Sequence, residues 1–196
     1  SGKRLQYSRG VCLADVPVTK LRPILMNANT NTTSIELFAK LEEFGIKFSN
    51  HEHPPLRTVA ESQSLRGELP GAHIKNLFLR DKKRRFFLVT VAENRDVDLK
   101  WLRRAIGAKG TLSFGSSESL NELLGVVPGA VTPLSVINDK GSAVTAFIDK
   151  ELLDADLVNA HPLRNDMTTA LSARDLITFM EMVHHSPNIL DFSVNI

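Results

Sequence analysis

Two apolar runs, Ile74 to Arg80 and Arg85 to Ala92, stand on either side of the charged tetrapeptide Asp81-Lys82-Lys83-Arg84. Both are rich in β-branched and aromatic residues and too short for core helices, so they predict a pair of central strands joined as a hairpin with a charged tip. Everything else must be arranged around that pair. At 196 residues the chain is long enough for one domain with a sizeable core.

Helix signals surround the hairpin. Thr33-Ser34-Ile35-Glu36 is a capping box, opening a helix whose inner face reads Ile35, Phe38 and Leu41 and which ends at Gly45. A short strand, Ile46 to Glu52, leads to the rigid His53-Pro54-Pro55, and Thr58-Val59-Ala60-Glu61 opens a second, short helix. Leu99, Leu102 and Ile106 recur at helical spacing before Gly107, and another helix runs from Ser116 to Gly125. Leu134 to Ile137 and Ala143 to Ile148 read as a second hairpin across Asn138-Asp139-Lys140-Gly141. Ser172-Ala173-Arg174-Asp175 begins a last helix with Leu176, Phe179, Met180 and Val183 inward. Strands and helices do not alternate regularly, which predicts an α+β domain with a mixed, curved sheet flanked by helices.

Residues 1–33 read differently. Ser1-Gly2 resembles a cloning remnant, and the polar run Asn27 to Thr33 has no periodicity, so 1–33 is expected to be an extension and 34–196 the domain. Met26 as the natural start stays open. No apolar stretch reaches membrane-spanning length. Cys12 is the single cysteine, which excludes an intrachain disulfide and paired-cysteine zinc ligation and fits a reducing, cytoplasmic setting. The formal charge of +2 is too small for nucleic-acid binding by bulk charge, so an RNA partner needs a local patch.

Lys75 is out of character in its strand, where alternation places it with Leu77 and Leu79 on one face and Ile74, Asn76, Phe78 and Arg80 on the other. An ammonium on an apolar face marks a pocket for an anion or carbonyl, or else snorkels to solvent; both readings stand. Gly129 to Pro133 offers backbone amides at a tight turn for a carbonyl or oxyanion, against the plain reading of a connecting loop. His161 and Pro162, followed by Asn165, place an imidazole in a loop where it orients substrate, moves a proton or holds a backbone carbonyl. His51 and His53 share one side of an extended segment, but Pro54-Pro55 and the lack of helical spacing argue against a metal site. No GxSxG elbow, Walker loop or Rossmann fingerprint is present. Arg80, Lys82 and Lys109 belong to a basic cluster near the hairpin tip where RNA phosphates could lie, or which is solvated surface.

His53-Pro54-Pro55, Gly71 to Leu79, Leu112 to Gly115, Gly125 to Pro133 and Asn159 to Asp166 occur in an order that resembles the YbaK and prolyl-tRNA synthetase-associated editing domain family, over residues 34 to 193. It is most similar to the free-standing bacterial branch that deacylates alanyl-tRNA(Pro). The resemblance implies hydrolysis of the ester on mischarged tRNA(Pro) with no metal, nucleotide or other cofactor. It implies Lys75, His161 and Gly129 as the catalytic set and Asn76, Ala130, Pro133, Pro162, Asn165 and Thr58 as substrate-binding. The lysine then anchors the acceptor end, since a protonated amine is a poor base and a good anchor, while a substrate ribose hydroxyl helps activate water. The implied partner is the acceptor end of aminoacylated tRNA(Pro), with prolyl-tRNA synthetase or an elongation factor as further partners and no specific DNA. A non-catalytic tRNA- or synthetase-binding module of the same fold is the alternative.

Overall fold

The computed structural model describes residues 31–55 and 69–194, and residues 31–196 form one compact unit. Thr58, with the helix expected at 58–61, and the extension up to residue 30 lie outside the described residues.

Helix α1 (Ser34–Glu43) starts at Thr33, whose hydroxyl accepts from the Glu36 amide while the Glu36 carboxylate accepts from the Thr33 amide. The inner face differs from expectation: Leu37 and Leu41 are fully buried, and Ile35 is 79% exposed. Ile35 lies in the first turn, rotated away from the stripe that Leu37 and Leu41 define at i, i+4. Strands β1 (Phe48–Glu52), β2 (Ala72–Arg80) and β3 (Phe86–Ala92) follow, and β2 and β3 form the expected antiparallel hairpin, with Lys75 opposite Val91 and Asn76 opposite Thr90. Helix α2 (Leu99–Ala105), capped by Asp98, precedes the two-residue β4 (Ser113–Phe114) and α3 (Ser117–Leu124), capped by Ser116.

The second hairpin is not there. Pro133–Asn138 is a 3₁₀ helix capped by Thr132, and β5 (Val144–Asp149) pairs in parallel with β3. Pro133 presets the first helical turn and lacks an N–H for a strand ladder. The apolar run Leu134 to Val136 is buried as a helix, which periodicity alone does not distinguish from a buried strand. After a second 3₁₀ segment (Lys150–Asp154) come β6 (Val158–Ala160), β7 (Met167–Leu171), α4 (Ala173–Met182) and β8 (Asn188–Leu190).

The strands form an eight-stranded mixed sheet in the order β1-β7-β6-β2-β3-β5-β8, with β4 added to β2. One face packs against α1, α3, α4 and the first 3₁₀ helix through Leu37, Leu41, Leu124, Leu134, Leu176 and Phe179. The second face carries a smaller cluster in which Leu79, Phe87, Val89, Val91 and Phe147 meet Leu102, Ile106 and Leu112. Strands β1, β6 and β7 contribute nothing to that second cluster. Among the described residues no helix is long and apolar enough to cross a membrane.

Two buried aspartates fix the turns. Asp81 accepts from the amides of Lys83, Arg85 and Lys109 and from the Arg85 guanidinium. Burial pushes its carboxyl up, but those donors and the Arg85 charge together hold it down, at about 2. Asp139 accepts from the Ala143 and Val144 amides and pairs with buried His185 at 2.9 Å. Burial again opposes the charge there and is outweighed by the His185 hydrogen bond and the amides, leaving Asp139 lowered; His185 is raised chiefly by its bond to Asp139.

Candidate active site

The sheet leaves one stretch of β2 open. Its first residues pair with β6, through Ala72 opposite Val158 and His73 opposite Asn159, and its last pair with β4, through Leu79 opposite Phe114 and Arg80 opposite Ser113. Among the described residues no strand covers that edge between those pairings, and Lys75 and Asn76 lie within the gap.

Which side chains share a face follows from alternation. The parallel pair His73 and Asn159 places both on the second face; Lys75 follows two residues along β2, and His161 follows Asn159 by two, just past the end of β6. The same counting through β7 and β1 adds Thr168 and His51 to this face. Side-chain contacts agree: His53 Nε2 lies 2.9 Å from Thr168 Oγ1, and the His53 and His161 rings are 6.2 Å apart. A strip of imidazoles and the Lys75 ammonium therefore runs across the half of the sheet that the second apolar cluster leaves uncovered. Lys75, His53, His73 and His161 are all half-buried there.

The side chains are held from outside the strip. Lys75 Nζ donates to the Arg95 carbonyl at 2.5 Å, and Arg95 is fixed by ion pairs with Asp149 and Glu151 and by the Phe192 ring below its guanidinium. An ammonium has three donors, so two can face a ligand. His161 Nδ1 is 3.0 Å from the Met167 carbonyl. A carbonyl only accepts, so Nδ1 carries the hydrogen and Nε2 is the acceptor nitrogen of the neutral ring. Asn159 donates to the Pro70 carbonyl, while its buried Oδ1 has no hydrogen-bond partner.

Asn76 points to the other face. Its amide donates to the Val131 carbonyl at 2.9 Å and its oxygen accepts from Thr90 at 2.7 Å. This ties the 129–133 loop to β2 at the open edge. Gly129 is exposed at φ 92°, a backbone region that favours glycine. The loop is less generous with amides than its sequence suggests: Ala130 N–H is spent on the Val127 carbonyl and Pro133 has none. Ala130 and Pro133 are buried, so they shape the loop. Gly129 and Val131 supply the amides that remain near the surface.

The expected residues thus divide between two faces that meet at one edge. Lys75 and His161 share a face; Asn76, Ala130 and Pro133 come from the other. Pro162 is buried, with its carbonyl accepting from Ser34 at 2.6 Å, and acts on the His161 loop through the backbone. Asn165 is half-buried in the same loop. Arg80, Lys82 and Lys109 are exposed beyond the far end of β2, away from the gap. Thr168, His73 and Asn159 were not singled out from the sequence; their one visible signal is even spacing along strands whose pairing is long-range. Among the described residues no group of three histidines, cysteines or acids could hold a metal ion.

Comparison with known proteins agrees with this architecture. The family model described as aminoacyl-tRNA editing domain matches residues 53–179. The chain is 39% identical over 164 residues to prolyl-tRNA synthetase associated domain-containing protein 1 of Danio rerio, covering 81% of this chain and 89% of that protein. It is 38% identical to the prolyl-tRNA editing protein ProX of Acetoanaerobium sticklandii, covering 71% of this chain and 85% of the relative. A crystal structure described as a candidate trans-editing enzyme for prolyl tRNA synthetase shares the fold with a TM-score of 0.61 at 22% identity, covering 83% of this chain and 98% of that one. Together with the ordered motifs along the sheet edge, these matches place the chain in the aminoacyl-tRNA editing domain family, the YbaK and prolyl-tRNA synthetase-associated group.

Proposed function

We propose that this chain is a trans-editing deacylase that hydrolyses the ester of mischarged tRNA(Pro), with alanyl-tRNA(Pro) as its substrate. The observation that carries the reading is Lys75 beside the open edge of β2, with His161 just past the end of β6, the strand that pairs with the start of β2. There the ammonium anchors the polar acceptor end. The amides of Gly129 and Val131 stand at the same edge to receive the ester carbonyl oxygen as negative charge develops on it.

Hydrolysis needs no group beyond these and the substrate. Water adds to the acyl carbon, the bond from that carbon to the ribose oxygen breaks, and the water proton ends on the departing ribose oxygen. His161, with Nδ1 committed to Met167, presents Nε2 as the ring's acceptor; it orients the substrate hydroxyl or takes the proton transiently. Asn76 keeps the loop in place through the Val131 carbonyl. A preference for alanine over proline then requires a pocket too small for the larger ring, because a clash discriminates more sharply than a missing methylene.

The test is alanine release from alanyl-tRNA(Pro) with prolyl-tRNA(Pro) as comparison. Loss of alanine well above the spontaneous rate with proline retained supports the reading. Tight tRNA binding with no release of either amino acid replaces it with a non-catalytic module.

A further inference from the structure

Away from the editing strip, a cavity of about 430 Å³ opens between the hairpin tip and α2, lined by Lys82, Leu99, Lys100, Arg103, Gly110, Thr111 and Leu112. Three of those residues are cationic and none is acidic. Among the described residues, the ammonium groups of Lys82 and Lys100 and the guanidinium of Arg103 make no ion pair or hydrogen bond. Three unpaired cations around one concavity repel one another unless an anion joins them.

The cavity is also built. Lys82 N–H donates to the Lys109 carbonyl, and Lys109 N–H donates to buried Asp81, so hairpin tip and 107–110 loop are locked together. Gly110, at φ 69°, lies against the Lys82 side chain so closely that a Cβ would sit 2.7 Å from Lys82 Cβ. Leu99 and Leu112 belong to the second apolar cluster, so the cavity borders the layer packed on the sheet face that carries Lys75. Six residues, most of them in β2, separate Lys75 from Lys82, a span of roughly 20 Å. At about 3.4 Å per stacked nucleotide, that is roughly six nucleotides of one strand. Between them Phe114, paired with Leu79 and so on the same face, is 64% exposed, a ring on which an unpaired base can stack.

We infer that the Lys82, Lys100 and Arg103 groove is a binding site for RNA backbone phosphates, seating the acceptor stem several nucleotides inward from the end that reacts at Lys75. It rests on the deacylase reading for the identity of that RNA. Phosphate contacts of this kind position the substrate without reading sequence.

The experiment compares two esters of alanine, alanyl-tRNA(Pro) and 3′-O-alanyl-adenosine, which has the reacting end and no stem. The variants are Lys82→Gln, Lys100→Gln, Arg103→Gln and their triple combination, with exposed Lys47→Gln as a control. The triple variant is expected to raise KM for the tRNA about tenfold or more with kcat within about twofold, to leave the adenosine ester unchanged, and to flatten the salt dependence by about 0.7–0.9 in log–log slope per lost contact. Phe114→Ala raises KM for the tRNA alone, by less. Equal losses on both esters, or no change on either, overturn the groove. If the unaltered protein cleaves neither ester, the deacylase reading falls instead. The groove is then judged by affinity for uncharged tRNA, and a triple variant that binds with unchanged salt slope overturns it.

Discussion

At its far end β2 is enclosed: Leu79 is fully buried under the second cluster, Arg80 pairs with Ser113, and the chain turns on the fully bonded Asp81. Midway along, the same strand has half-buried Lys75 and Asn76 beside a stretch of edge that no described strand covers. The enclosed end satisfies the Asp81 carboxylate and the turn amides around it and gains stability from doing so. The open stretch keeps Lys75, with one donor on the Arg95 carbonyl and two left over, where a substrate can complete its bonding. A strand anchored on both sides of the gap holds such groups to a fixed geometry, which loop-borne residues achieve less well.

Removing the knot at the enclosed end has the largest expected effect on stability. Asp81→Ala strands the buried amides and the Arg85 guanidinium, and about 3 kcal/mol should be lost in urea unfolding. Because the Asp81 carboxyl is lowered from 3.8 to about 2, its contribution is complete above 3.8 and disappears as pH falls toward 2. Acid titration of the unaltered protein should therefore show an unfolding transition there that Asp81→Ala has already lost. A variant as stable as the parent would mean that the tip is not held by this carboxylate.

A smaller change separates position from stability at the open stretch. Asn76→Leu keeps the branched shape of the side chain and cuts the ties to Val131 and Thr90, so roughly tenfold in deacylation and about 1 kcal/mol in stability should go. Equal activity with and without the tie would show that the 129–133 loop needs no help from β2.

The smallest effect lies outside β2 altogether. His185 is raised above 6.5 and Asp139 lowered below 3.8, so their pair stabilises fully between those values. It weakens as pH rises through the raised His185 value and again as pH falls through the lowered Asp139 value. The melting temperature should decline on the alkaline side in the parent and stay flatter in His185→Gln, with deacylation per folded molecule unchanged. A parallel loss of activity would link this clamp to the site.

Much of this was legible in the chain because it is local. The Thr33 and Glu36 box, the ends of α1 and α2, the β2–β3 hairpin and the odd placement of Lys75 all depend on residues a few positions apart. Periodicity also puts Lys75 and Asn76 on opposite faces. It does not say that a loop 55 residues away closes on Asn76. The segment 134–137 misled because a buried 3₁₀ turn and a buried strand have the same apolar pattern, and Pro133 was the informative residue. The turn signals at Asp81 and Asp139 say nothing of depth, yet each is buried as the acceptor that closes its turn. That β6 leads His161 toward the start of β2 depends on a parallel strand pair, which has no local signature.

The central claim is that Lys75 is the substrate anchor of a hydrolytic site and not a strand lysine that merely reaches solvent. The most direct test is the single-turnover deacylation rate of alanyl-tRNA(Pro) by Lys75→Ala against the parent, with thermal melting recorded on the same samples. A fall of about 100-fold or more at an unchanged melting temperature is the expected result. An unchanged rate from a folded Lys75→Ala would contradict it.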